Sequence, residues 1–313
     1  MRLTSSEKTT VKKINTSLWI AAIKPPIYSV AVVPITMGTL VAYRETKQLD
    51  WSIFLLFLLS GILIIAWLNL SNDVFDSETG IDINKTTSVV NITGNKSLVF
   101  WVSNICLIGA IFGLGAIAWL QQDWLVVGFV LLACFLGYTY QGPPFRLGYQ
   151  GLGEIICFIC FGPLAISAAY YSQTQAFSGF ALAISTLIGM STSIILFCSH
   201  FHQVEDDLSA GKRSPIVRLG TQTGANVLIA STASIFLLTL FWIAWGYFPI
   251  TTLLIFLAAP WAYQLVRHVQ QYHDQPDKVS NSKFIAVHFY VWSSVFLGLG
   301  MVLQFQPDFI FNQ

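Results

Sequence analysis

The amino-acid sequence predicts an all-α polytopic membrane protein: a UbiA-independent reading of composition and pattern alone gives a bundle of nine transmembrane helices with a cytoplasmic N-terminus.

 
Composition is the first reason. Hydrophobic residues are 55% of the 313 positions and charged residues only 10%, with a mean hydropathy of +0.65, whereas a soluble domain carries roughly 25% charged residues. Patterning is the second reason, because the apolar residues gather into nine runs long enough to cross a bilayer. The third is a one-sided placement of the basic residues.

In chain order, residues 1–24 form a polar, basic N-terminal segment. Its opening, MRLTSSEKTTVKKINTS, has no short apolar core and no small-residue cleavage site, so no cleaved signal peptide is expected. The stretch from Ile14 to Lys24 reads as an interfacial approach to the membrane. A nine-helix domain then covers 25–304, with spans at 25–43, 51–70, 97–119, 124–141, 152–172, 178–200, 221–244, 247–266 and 284–304. Pro25 and Pro26 suit the start of the first span, because proline is tolerated in a first helical turn. Residues 305–313 are a C-terminal tail. The N-terminal side and the loops after the even-numbered spans hold thirteen Lys and Arg, while the opposite face holds two, Arg44 and Lys47. Lys24 stands at the start of span one. That bias places the N-terminus in the cytoplasm and the C-terminus on the far side.

The acidic residues follow the same division. Asp73, Asp76, Glu78 and Asp82 put four carboxylates into ten residues just beyond span two, and Glu205, Asp206 and Asp207 stand just beyond span six. Four spans separate the two clusters, the mark of a weak internal repeat. Crowded like charges call for a positive occupant. If the second span continues as helix, Asn72 and Asp76 (four apart) and Asp73 and Asp76 (three apart) project from one face. Oxygen donors at that spacing suit a hard cation such as Mg2+ bridging to phosphate. Gln203 and Asp207 repeat the four-residue spacing, with His200, His202, Glu205 and Asp206 beside them. Lys85 follows the first cluster, and Lys212, Arg213 and Arg218 follow the second, as a metal–diphosphate requires. His200 and His202 at i, i+2 point to different helix faces, which disfavours a soft-metal site. Trimming Asp76 or Asp207 to Ala is expected to relieve repulsion, leaving stability unchanged or slightly higher.

A net charge of +1 argues against a nucleic-acid partner. The five cysteines all lie in apolar runs, and Cys157-x-x-Cys160 has no second pair, so they read as packing residues. A transporter would carry ionisable residues near the middle of its spans, whereas here those middles lack charge.

The motifs resemble one family closely. NDVFDSETGID (72–82) is similar to the first aspartate-rich motif, NDxxD, of the UbiA-type membrane prenyltransferases, and HFHQVEDDLSAGKRSPIVRLGT (200–221) to their second acidic loop. YTYQGPPFRLGYQGLGE (138–154) resembles their third cytoplasmic stretch, and Ile23-Lys24-Pro25 the approach to their first helix. The resemblance covers essentially the whole chain. HFHQVEDD and PPFRLGYxGLGE are most similar to the 1,4-dihydroxy-2-naphthoate branch, in particular its cyanobacterial and plastid phytyl-transferring members. Two departures stand out: Gln203 occupies the place of the first Asp in a D-x-x-x-D pattern, and Asp82 lies six residues after Asp76 rather than four.

The resemblance implies Mg2+-dependent transfer of a long isoprenoid, phytyl in this branch, from its diphosphate to an aromatic acid, 1,4-dihydroxy-2-naphthoate, with loss of carbon dioxide, in phylloquinone or menaquinone biosynthesis. Homogentisate and other aromatic acids are the alternative acceptors. Two Mg2+ ions would sit on Asn72, Asp73, Asp76, Asp82, Gln203 and Asp207. Lys24, Lys85, Arg146, Tyr138, Lys212 and Arg218 would bind the substrates, while Asp206, Glu205 or His202 would draw off the acceptor proton. Phe75, Tyr138, Tyr140 and Phe145 are the aromatics nearest the motifs, placed to face an allylic cation. The setting is a bacterial plasma membrane or a thylakoid membrane, with the site facing the cytoplasm. Glu154 favours a helix N-terminus whatever the function, and His288, alone on an apolar helix, reads as structural.

Overall fold

The computed structural model describes residues 16–81, 85 and 87–303. The interfacial approach is a short helix, α1 (Thr16–Ile23), which stops at Lys24 in the left-handed region (φ 52, ψ 57). Pro25 excludes the α conformation at the residue before it, and a 3-10 turn (Pro25–Tyr28) leads into α2 (Ser29–Thr46).

Helix α3 (Trp51–Thr79) begins where the Asp50 side chain accepts the Ser52 and Ile53 N–H groups, and it ends at Gly80, whose φ of 78 suits glycine. Its 29 residues carry it nine positions beyond the span read from hydropathy. At 1.5 Å per residue it is about 43 Å long, so its last turns stand outside a hydrocarbon core of about 30 Å. Asn72, Asp73 and Asp76 therefore share one rigid helix rather than a loop.

The chain continues through α4 (Val89–Thr93), α5 (Lys96–Gln121, capped by Asn95) and α6 (Leu125–Gln141). The next span is broken into α7 (Gly153–Ile159), a π turn (Cys160–Leu164) and α8 (Ala165–Thr174). Pro163 lies in the π turn; it lacks the N–H that a regular turn would use. Then come α9 (Gly179–Ser199), the short α10 (Val204–Ser209) and α11 (Pro215–Leu219), and α12 (Thr221–Ala244). A 3-10 stretch (Ile250–Ala258) runs into α13 (Ala259–Tyr272), and α14 (Pro276–Val279) precedes α15 (Ser282–Val302). Among the described residues eight helical stretches have the length and apolarity to cross a membrane. The remaining expected span is α6, whose 17 residues extend about 25 Å.

The most buried helices, α9 and α15, pack with α2 around Val41, Ile184, Leu187, Phe289 and Tyr290. A second cluster joins α2, α3, α5, α6 and α8 through Ile35, Phe57, Leu114, Val126 and Ala168. Between α7 and α9 the backbones meet closely: a Cβ on Gly162 would lie 2.6 Å from Ser185 O. Trp51, Trp119, Trp124 and Trp245 are all more than 60% exposed at the helix ends opposite the motif loops, where an aromatic belt belongs.

Candidate active site

The two acidic motifs, 127 residues apart in sequence between Asp76 and Gln203, face one cavity of about 420 Å³. Its polar end lies at the helix ends that carry the cationic loops. Helix α3 lines it with Asn72, Asp73 and Asp76, and the second motif lines it with His200, His202, Gln203 and Lys212. Lys24, Lys85 and Lys283 complete the polar end, so four lysines from four separate segments surround three oxygen-bearing residues of α3.

Each acidic residue has its own setting. Asp73 is 2% exposed; Oδ1 accepts from Lys85 Nζ at 3.2 Å and Oδ2 from the Val89 N–H, the first of α4, at 2.7 Å. It thereby anchors both Lys85 and α4. The Asp76 Oδ1 accepts from Gln141 Nε2 at 2.8 Å, tying α3 to the end of α6. Asp82 lies outside the described residues.

Asp207 is wholly buried and does not line the cavity. Its Oδ1 is 3.1 Å from Lys212 Nζ, and its Oδ2 is 3.3 Å from His200 Nδ1. Burial alone would raise this carboxyl, but His200 and Lys212 hold it below the usual range. The other face of His200 meets Glu154 Oε1 at 3.4 Å, so the array Glu154–His200–Asp207–Lys212 joins the start of α7 to the second motif. This corrects the expectation that trimming Asp207 relieves repulsion: the carboxylate is paired.

The proposed proton acceptors separate. His202 lines the cavity, and its pKa falls to about 4 through burial and the neighbouring Lys283 ammonium, so the ring is neutral. Glu205 is exposed, Asp206 is half-buried, and neither lines the cavity. Three expected substrate-binding residues also stand outside it. The Tyr138 hydroxyl donates to Pro143 O at 2.7 Å. Arg146 faces Glu78 at 3.8 Å and stacks on Tyr149. Arg218 donates to Gln150 O and Arg213 O, clamping two loops together. Of the aromatics, Tyr140 lines the cavity, while Phe75 packs edge-on against Tyr138 and Phe145 against Phe135.

Lys283 and Gln141 were not singled out from sequence. Lys283 did leave a signal: it occupies the first turn of α15, where the helix dipole disfavours a cation. Gln141 shows its role only once α6 is folded against α3.

The donor set fits a hard divalent cation. Among the described residues no three His, Cys, Asp or Glu side chains converge on one point. Mg2+ characteristically binds one or two carboxylates together with substrate phosphates, and this polar end offers that arrangement.

Residues 31–295 match the model of the UbiA prenyltransferase family. The chain belongs to that family. It is 60% identical to the 2-carboxy-1,4-naphthoquinone phytyltransferase of Synechocystis sp., covering 90% of this chain and 92% of the relative. It is 41% identical to the chloroplastic 2-carboxy-1,4-naphthoquinone phytyltransferase of Arabidopsis thaliana, covering 90% and 76%. The fold is shared with a UbiA homolog from Archaeoglobus fulgidus bound to GPP and Mg2+, at a TM-score of 0.56 and 15% identity over 90% of this chain and 99% of that one. The nine-span reading, the two motifs and the family all agree with an all-helical, multi-pass membrane prenyltransferase.

Proposed function

We propose that this UbiA family member transfers a phytyl group from its diphosphate to 1,4-dihydroxy-2-naphthoate with loss of carbon dioxide, in phylloquinone or menaquinone synthesis. The observation that carries this reading is the polarity of the cavity: oxygen donors and four lysines at one end, an apolar channel below. The names of the two similar relatives support the phytyl donor and the bicyclic acceptor. Their names give the acceptor as the quinone; the dihydroxy form of the same skeleton is the one rich enough in electrons to attack an allylic centre.

Asn72 and Asp76 would hold one Mg2+, and Gln203 with Asp207 a second. When bound, the metal neutralises the diphosphate and makes it a competent leaving group. Lys24, Lys85, Lys212 and Lys283 bind phosphate oxygens and hold the head group against α3. The carbon–oxygen bond breaks with its electron pair going to the diphosphate. Tyr140 and the apolar wall keep water from the allylic cation. The ring carbon bearing the carboxyl forms the new carbon–carbon bond, and carbon dioxide departs. His202, neutral and lining the cavity, accepts the hydroxyl proton. Asp73 serves this site indirectly by positioning Lys85. The polar end faces the cytoplasm of a plasma or thylakoid membrane.

The test is purified protein in lipid nanodiscs with phytyl diphosphate and equal amounts of the naphthoate, homogentisate and 4-hydroxybenzoate. A fused ring buries more apolar surface, worth about 1–2 kcal/mol in a site shaped for it, so the naphthoate product should dominate. Activity should vanish in excess EDTA and return with Mg2+ or Mn2+. Preference for a single-ring acid would overturn the acceptor, and turnover in EDTA would overturn the metal.

A further inference from the structure

The cavity has a floor. On α3 its lining forms a single stripe that starts at Phe57, passes Gly61, Ile64 and Leu68, and reaches Asn72 and Asp76. Phe54, one turn below Phe57, does not line it. On α6 the lining starts at Phe129 and ends at Gln141, and on α2 it stops at Ile35. Phe57 is 3% exposed and belongs to the packed cluster that closes the space beneath.

Helical rise converts these positions into length. From Asn72 to Phe57 is fifteen residues, about 22 Å, and from Gln141 to Phe129 is twelve residues, about 18 Å. The sixteen-carbon main chain of a phytyl group, extended, measures about 19 Å from carbon–carbon bonds of about 1.5 Å. Channel and tail match. Gly61 stands eleven residues from Asn72, about 16 Å down the channel. A Cβ there would overlap Ile35 Cδ1, the flexible tip of a side chain that also lines the channel, so added methyl groups would take their space from the lumen.

We infer that Phe57 and Phe129 are the end stop that sets the longest prenyl chain this protein accepts, and that Gly61 keeps the channel open to the stop. This rests on the prenyl-transfer reading above. The rule predicts opposite shifts at the two positions. Gly61→Val shortens the channel to about the 14 Å of a farnesyl main chain, by the same bond length. Phe129→Ala and Phe57→Ala lengthen it toward the twenty-carbon main chain of a geranylfarnesyl group.

The experiment measures kcat/KM for farnesyl, phytyl and geranylfarnesyl diphosphates with one naphthoate acceptor, in full-length protein reconstituted in nanodiscs. Gly61→Val should raise the farnesyl-to-phytyl ratio at least tenfold. Phe129→Ala should raise the geranylfarnesyl-to-phytyl ratio at least tenfold, and Phe57→Ala should do the same. Phe129 is only partly buried, so its variant keeps the test decisive if Phe57→Ala fails to fold. Ratios within twofold of wild type in active variants would overturn the end stop and place the tail between helices instead. Failure of the wild type to transfer any of the three chains would overturn prenyl transfer itself, a separate outcome.

Discussion

Replacing Asp207 with Ala tests the buried array directly. The Asp207 side chain is 0% exposed and Lys212 6%, with the charges 3.1 Å apart. Removing the carboxylate leaves an ammonium buried without its partner, which typically costs about 3–5 kcal/mol. Solvent screening does not discount this figure, because neither group reaches water. Lys212→Met should cost less, since Asp207 keeps His200 at 3.3 Å. The double variant Asp207→Ala/Lys212→Met removes both charges and should be more stable than Asp207→Ala alone, giving a coupling of about 1–3 kcal/mol. Thermal unfolding of the four proteins in one detergent, without substrate or added metal, reads the cycle. The folded carboxyl pKa lies below its ordinary 3.8. The pair's contribution is therefore fully present above that value and is lost only as pH falls through the depressed one. The difference between wild type and Asp207→Ala should accordingly be flat from about pH 5 to 8. Unchanged unfolding of Asp207→Ala, or strict additivity of the two single effects, would refute the argument.

Three further outcomes follow from the site. Asp73→Asn keeps an acceptor for the Val89 N–H and should lose less stability than Asp73→Ala, which forfeits a helix-start contact worth about 0.5–2 kcal/mol; equal unfolding temperatures would count against the anchoring role. Gln203→Ala should lower turnover less than Asp76→Ala, since a neutral amide contributes less than a carboxylate to holding a cation; an equal or larger loss would displace the second motif. Lys283→Met should raise the KM for the prenyl diphosphate several-fold with its expression intact, and an unchanged KM would remove Lys283 from the diphosphate cradle.

Much of this was legible in the sequence because the bilayer imposes a simple rule. Apolar runs must become helices whose backbone bonds close internally, so eight expected spans reappear as long helices and α6 as a shorter one. The oxygen donors at 72 and 76 were legible for the same reason, since a helix at four-residue spacing leaves them no other arrangement. Side-chain partners were not. Whether Asp207 faces the cavity or Lys212 depends on how α10 docks on the end of α9, and no local pattern records that. Arg218 looked like a phosphate ligand by its place in the motif, yet its guanidinium is spent on the carbonyls of Gln150 and Arg213. Tyr138 likewise closes its own loop through Pro143.

The channel explains why tail selection would need a stop at all. A prenyl tail moving from lipid into an apolar channel exchanges one hydrocarbon environment for another, so each added isoprene unit gains little transfer free energy of the kind that drives burial from water. Affinity for the tail cannot then discriminate length; steric exclusion can. The head group is different, because its binding at the polar end is charge against charge and independent of the tail. Diphosphate anchoring at Asn72 and Asp76 fixes one end of the donor, and Phe57 and Phe129 limit the other. A tail too long for the channel pushes the allylic carbon away from the cradle, so the penalty should appear in kcat more than in KM.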